Sequence, residues 1–279
     1  MRRAGEEAAG CFMGYEGKRV VVSGCASGMG EATARQLLDL GAEVHGLDVK
    51  ASRAPLASFI HVDLRHPREI DAAAAAIGGR VDALFNCAGL PSSLPPLDIM
   101  KVNFLAARSL TEAILPLMPF GGAIVSVAST GGLRWAQHLP VCLSLLETKT
   151  FDEGLAWCQA RPETVGEGYG FSKEALIVWT LVNSSRLIAQ GVRINCTNPA
   201  PTQTGLIEVV EKSTPAAILE ASVRPIGRRA RPEEQAAVLA FLNSAAASYV
   251  NGAVLPVDGG FSAGLATGQM DLADLFRAR

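Results

Sequence analysis

Arg19-Val20-Val21-Val22-Ser23-Gly24-Cys25-Ala26-Ser27-Gly28-Met29-Gly30-Glu31-Ala32-Thr33 passes from an apolar run through a glycine-rich turn into a helical pattern, and that order decides the fold. Arg19 to Ser23 reads as a buried strand. Glycines at 24, 28 and 30 permit a tight turn, main-chain approach to a pyrophosphate and close helix packing, while the N-terminus of the following helix attracts the anion. The loop therefore offers Gly24, Ala26, Ser27, Gly28, Met29 and Gly30 as nucleotide contacts. Elsewhere a glycine trio is merely a turn; between an apolar strand and a helix it signals nucleotide binding.

Outward from this turn the chain alternates short apolar runs with amphipathic stretches. Arg19 to Ser23, Glu43 to Asp48, Phe59 to Asp63, Ala83 to Asn86, Ala123 to Ala128, Arg193 to Thr197 and Ala253 to Val257 read as strands. Most are continuously apolar, as parallel strands covered on both faces require. Gly30 to Leu40, Pro67 to Ile77, Pro96 to Met118, Gly170 to Ala189 and Pro232 to Ser244 read as helices between them. The alternation predicts a single-domain α/β fold, a doubly wound, mostly parallel seven-stranded sheet with helices on both faces.

In such a sheet ligands sit at the carboxyl ends of the strands. Asp48 closes the second strand 18 residues beyond Gly30, where a carboxylate accepts hydrogen bonds from adenine-ribose hydroxyls and repels a 2′-phosphate. With no Lys or Arg in the glycine loop, the expected cofactor is NAD; NADP is less favoured, although Lys50 and Arg53 lie close in sequence. Asp63 and Leu64 end the third strand beside the adenine position, and Asn86, Ala88 and Gly89 end the fourth at the cofactor edge. Of Ser126, Ser129 and Thr130, Ser129 is best placed to project from the fifth strand into the crevice.

Composition narrows the function classes. Of 279 residues 49% are apolar and 19% charged, enough for a large core and unlike a disordered chain. A formal net charge of −2 gives no general attraction for nucleic acid or anionic lipid. No apolar run is long enough to span a membrane, and Met1 to Gly10 has no signal-like apolar core, so a cytoplasmic protein is expected. The six cysteines form no C-x-x-C and the four histidines are scattered, so no metal is expected and the thiols read as reduced and mostly buried. Asn183-Ser184-Ser185, a glycosylation-type triplet, lies in an apolar helical run.

The chemistry resides in Gly168-Tyr169-Gly170-Phe171-Ser172-Lys173, where a helix puts a phenol and an ammonium four residues apart on one face. A neighbouring lysine cation is expected to favour the phenolate and lower the Tyr169 pKa, making the phenol a usable acid/base. By itself Tyr-x-x-x-Lys is more often a solvated helix face.

Taken together these segments resemble the short-chain dehydrogenase/reductase family over about Gly17 to Gly260. The glycine loop resembles T-G-x-x-x-G-x-G with Ser23 for threonine, Asn86 to Gly89 resembles N-N-A-G with Cys87 substituted, and Tyr169 and Lys173 match Y-x-x-x-K. The resemblance implies a Rossmann-type fold and a catalytic set of Asn103, Ser129, Tyr169 and Lys173. It implies that Tyr169 exchanges a proton with the substrate oxygen, that Ser129 orients that oxygen, that Lys173 binds the nicotinamide ribose, and that Asn103 holds a water leading to solvent. Pro199, Thr202 and Thr204 fall around the nicotinamide carboxamide. It also implies a homodimer or homotetramer, the dimer preferred, with a small apolar alcohol or ketone as partner.

The chain departs from the family pattern in two places. Ala200 follows Pro199 where the family often has glycine, so a local difference is expected in that loop. Ser129 and Tyr169 are 40 residues apart, an unusually long separation, filled by a predicted helical hairpin inserted over 133–166 in which Thr150-Phe151-Asp152-Glu153 reads as a capping box. The insertion, with Arg224 to Ala230 and Ala246 to Val250, is most similar to the bacterial 3α-hydroxysteroid dehydrogenase/carbonyl reductase branch. Residues 1–16 read as a flexible leader, 17–260 as the catalytic domain, 204–229 as a substrate lid and 261–279 as a tail. Leu206, Ile207, Val209 and Val210 in the lid, with Trp135 and Trp157, favour oxidoreduction of a bulky apolar secondary alcohol, steroid or alicyclic. The alternatives are a 3-oxoacyl thioester reductase and a non-catalytic NAD-binding regulator.

Overall fold

Seven parallel strands, β1 (Arg19–Ser23), β2 (Glu43–Asp48), β3 (Ser58–His61), β4 (Ala83–Asn86), β5 (Ala123–Val127), β6 (Arg193–Pro199) and β7 (Val254–Val257), form one sheet in the order β3-β2-β1-β4-β5-β6-β7. This is the computed structural model, and it describes residues 13–205 and 216–270. The strand order reverses between β1 and β4, which opens a crevice at their carboxyl ends. Register levels those ends: Ser23 pairs with Leu47 and Asn86, Asn86 with Ser126, and Val127 with Thr197.

Because side chains alternate along a strand, each strand feeds two cores. Val21, Leu84, Ile124 and Ile194 pack on one face, and Val20, Val22, Phe85, Val125 and Val127 on the other. Each fully buried Val, Leu or Ile contributes about 1.5–3 kcal/mol, so continuously apolar strands favour coverage on both sides. Among the described residues the α-helices are α1 (Gly28–Asp39), α2 (Pro67–Ile77), α3 (Pro96–Met100), α4 (Ala107–Ile114), α5 (Leu139–Leu146), α6 (Phe151–Gln159), α7 (Pro162–Val165), α8 (Tyr169–Ile188), α9 (Ala216–Val223), α10 (Pro232–Asn243) and α11 (Phe261–Ala266). Ala34 and Leu37 of α1 join Leu239 and Leu242 of α10 on one face, while Ile70 of α2, Leu110 of α4 and Ile177 of α8 cover the other.

The helix expected over Pro96 to Met118 is broken into α3, a π-helical turn Lys101–Ala106, α4 and a 3₁₀ turn Leu115–Leu117. Asn103 sits in the widened turn, where Oδ1 accepts from Leu90 N at 2.7 Å and Nδ2 donates to Leu90 O at 3.1 Å. Pro116 lacks an N–H and loosens the far end. The strand expected over Phe59 to Asp63 is Ser58–His61, and β6 runs on to Pro199.

The insertion is three helices, α5 to α7, rather than a hairpin. The capping box forms as read: Thr150 Oγ1 accepts from Glu153 N at 3.2 Å and Glu153 Oε2 accepts from Thr150 N at 3.3 Å. Buried Arg108 of α4 donates to Thr148 O at 3.2 Å, Thr148 Oγ1 at 3.0 Å and Thr150 O at 2.7 Å, tying the insertion to the sheet helices. Trp157 stacks on Phe171 with ring centroids 5.9 Å apart. Of the lid residues, Leu206, Ile207, Val209 and Val210 lie outside the described residues, as do residues 1–12 of the leader and 271–279 of the tail.

Candidate active site

A cavity of about 1000 Å³ runs along the carboxyl ends of the strands from Asp48 to Tyr169. Its floor is the glycine turn, where Gly24, Ser27, Gly28, Met29 and Gly30 line the wall. A Cβ at Gly30 would stand 2.0 Å from Gly24 O, so only glycine lets the helix start this close beneath the turn. Asp48 fixes the turn from the side: Oδ2 accepts from Ala26 N and Oδ1 from Lys50 N, each at 3.0 Å. The glycine cradle, the first-turn N–H groups of α1 and a carboxylate at the end of β2 fit a dinucleotide with free adenine-ribose hydroxyls.

Further along the wall come Asp63 and Leu64, then Ala88 and Gly89, and across the crevice Pro199, Thr202 and Thr204. Asp63 is clamped by Arg65, whose Nε lies 3.0 Å from Oδ1, and this hydrogen bonding holds the Asp63 pKa below the usual carboxylate range. Ala200 N donates to Val257 O at 3.2 Å, and Ala200 has a negative φ, so alanine carries no backbone strain there.

Ser129, Tyr169 and Lys173 meet at the other end of the cavity. Ser129 follows β5 and caps the 3₁₀ turn Thr130–Gly132, its Oγ accepting from Gly131 N at 3.0 Å. Tyr169 opens α8 and Lys173 stands one turn on, its Nζ 5.7 Å from the Tyr169 ring centroid. Nζ donates to Val127 O at 2.8 Å. Burial lowers the Lys173 pKa to about 8. Contrary to the expected lowering of the Tyr169 pKa, burial raises it, opposed by the Ser129 hydroxyl. Desolvation of the phenolate outweighs the Ser129 hydrogen bond.

Three expected residues stand behind the wall. Asn86 Nδ2 donates to Thr111 Oγ1 at 3.0 Å and Ser126 Oγ at 3.3 Å, so its side chain braces β4 instead of facing a cofactor. Ala26 contributes its N–H to Asp48 rather than to the cavity. Asn103 holds Leu90 and donates to Ser172 Oγ at 3.3 Å, within the layer that supports α8. Trp135 and Trp157, which favoured an apolar substrate in the sequence, pack in the hydrophobic core and do not line the cavity; its apolar lining includes Leu90, Pro91, Leu94, Val102 and Leu219.

Other contributors were not read from the sequence. Ser23 Oγ accepts from Cys87 N at 3.2 Å and Ala88 N at 3.3 Å, stapling the two cofactor loops together. A hydroxyl closing an otherwise apolar strand was the available signal. The main-chain carbonyl of Val127, and Glu167 on the cavity wall, leave no such mark.

A nucleotide cradle at the switch point, joined to a Ser, Tyr and Lys cluster beside an apolar wall, defines a Rossmann-type oxidoreductase. The short chain dehydrogenase family model matches residues 18–141, and a second model, enoyl-(acyl carrier protein) reductase, matches residues 158–262. The chain is 36% identical to coniferyl-alcohol dehydrogenase of Pseudomonas sp. strain HR199, covering 88% of this chain and 96% of that protein. It is 32% identical to 3-alpha-hydroxysteroid dehydrogenase/carbonyl reductase of Comamonas testosteroni, again over 88% and 96%. The 3-alpha-hydroxysteroid dehydrogenase of Pseudomonas sp. B-0831, solved with NADH, superposes with a TM-score of 0.75 at 27% identity, covering 91% of this chain and 100% of that one. The chain belongs to the short-chain dehydrogenase/reductase family and is an oxidoreductase acting on alcohols and ketones.

Proposed function

We propose that this enzyme uses NAD to interconvert a bulky, apolar, ring-bearing alcohol, steroid or alicyclic in the leading reading, and its carbonyl compound. One observation carries the reading: Ser129, Tyr169 and Lys173 line the same cavity as Leu90, Leu94, Val102 and Leu219. Such a wall desolvates a ring while a phenol addresses its oxygen.

In oxidation, Tyr169 as phenolate takes the hydroxyl proton and Ser129 holds the substrate oxygen by hydrogen bonding. Lys173, fixed by Val127 O, holds positive charge beside the phenolate as it forms. Asn103 positions α8 through Ser172. The glycine turn, Asp48, Thr202 and Thr204 would hold NAD, which would supply the hydride acceptor. Asp48 supports NAD over NADP, since a 2′-phosphate there meets a carboxylate already fixed by two main-chain N–H groups.

A second reading, a primary arylallylic alcohol, is favoured by the 36% identity to coniferyl-alcohol dehydrogenase. We also propose a cytoplasmic homodimer in preference to a tetramer, because the insertion lies against α8 and, through Arg108, against α4, and covers that face against a partner. No helix among the described residues is long and apolar enough to cross a membrane.

The test is reduced-nicotinamide formation from each oxidised cofactor on hydroxysteroids, alicyclic alcohols, arylallylic alcohols and 3-hydroxyacyl thioesters. NAD-dependent turnover of ring alcohols is expected; NADP-dependent turnover of thioesters alone contradicts it.

A further inference from the structure

We infer that Glu167 determines specificity at the substrate end of the cavity: it accepts a hydrogen bond from a second hydroxyl on the substrate and excludes substrates carrying a carboxylate there. The inference rests on the proposed oxidation at Tyr169.

Glu167 lines the same cavity as Tyr169 and is solvent-exposed. Each of the wall's other carboxylates already accepts from the protein: Asp48 from Ala26 N and Lys50 N, Asp63 from Arg65, and Asp98 from Lys101 at 3.0 Å. Among the described residues, none forms a hydrogen bond or ion pair with Glu167.

Its placement is built into the fold. The chain leaves α7 through two turn bonds, Gly166 N to Pro162 O and Gly168 N to Val165 O, each 2.9 Å. Gly168 has φ +80°, and a Cβ there would meet Pro96 O at 2.6 Å, so the turn is seated against the start of α3. Glu167 is therefore carried on a wedged turn, two residues before the phenol.

Two residues span at most about 7 Å of main chain, so Glu167 and Tyr169 are carried close together on the cavity wall. An ionised carboxylate only accepts hydrogen bonds. A hydroxyl gives it a charge-assisted bond, a methoxy group gives nothing, and a substrate carboxylate brings a like charge beside it. Hydroxyl-bearing ring alcohols, alcoholic or phenolic, are the class this satisfies.

The experiment compares cyclohexanols carrying a hydroxyl, a methoxy group or a carboxylate on the ring carbon opposite the carbinol, with unsubstituted cyclohexanol alongside. For the wild-type enzyme kcat/KM for the hydroxyl compound is expected to exceed that for the carboxylate by roughly tenfold or more. Glu167→Gln should collapse that ratio, and Glu167→Lys should invert it in favour of the carboxylate, a reversal that a merely structural role does not give. Unchanged ratios in both variants, with cyclohexanol still oxidised, overturn the inference and leave the proposed reaction standing. Failure of every alcohol with either cofactor overturns the reaction and the inference with it.

Discussion

Replacing Lys173 by Met is expected to stabilise the fold while removing the reaction. Lys173 is 4% exposed, and burial takes its pKa from 10.5 to about 8. That difference corresponds to about 3 kcal/mol against the charged form. The unfolded chain holds this proton up to its own, higher pKa, so the cost of burying the charge is fully present below the folded value and disappears above the unfolded one. Against this, methionine loses the 2.8 Å hydrogen bond to Val127 O, worth about 1 kcal/mol. The net gain at neutral pH is about 2 kcal/mol, or about 5 °C in Tm for a chain of this size. Circular dichroism melts of wild type and variant across neutral to strongly alkaline pH read it directly. The Tm difference should shrink as pH rises from about 8 to 10.5. Turnover should fall at least about 100-fold. A variant that melts lower than wild type at neutral pH, or a difference independent of pH, refutes the assignment of Lys173 as a buried, destabilised cation.

Asp48→Ser removes the carboxylate that meets a 2′-phosphate, and the ratio of NADPH to NADH affinity should rise about tenfold in fluorescence titrations. An unchanged ratio removes Asp48 from cofactor choice. Arg108→Ala deletes the hydrogen bonds to Thr148 and Thr150 from a buried guanidinium, so Tm should drop by an amount equivalent to about 2–4 kcal/mol. A melt like wild type would mean that Arg108 does not anchor the insertion.

The strands were legible because a parallel sheet covered on both faces writes itself as apolar runs, and β1, β2 and β4 fall at the boundaries read from sequence. The glycine turn, Asp48, Ser129 and Tyr169 were legible for a related reason, since each lies where an element closes or opens at the carboxyl edge, and Lys173 was legible from its four-residue spacing to Tyr169. Side-chain direction was not. Asn86 occupies the expected place and turns into the β4 and β5 layer, because Thr111 and Ser126 satisfy its amide there. Trp157 is apolar and lies in the insertion, yet it stacks on Phe171, a contact fixed by how the insertion docks. The break at Lys101–Ala106 escaped the periodicity, since no proline or glycine lies in that segment and the widened turn accompanies a tertiary contact of Asn103. The sign of the Tyr169 shift escaped for the same reason: the lysine spacing is in the sequence, but burial is not.

The account rests most on Tyr169 as the group that exchanges the substrate proton. Tyr169→Phe keeps the ring and removes the hydroxyl, and the direct measurement pairs alcohol oxidation rate with NADH affinity in the same preparation. The account predicts a fall in kcat of about 100-fold or more with NADH binding nearly intact; a Tyr169→Phe enzyme that turns over at the wild-type rate contradicts it.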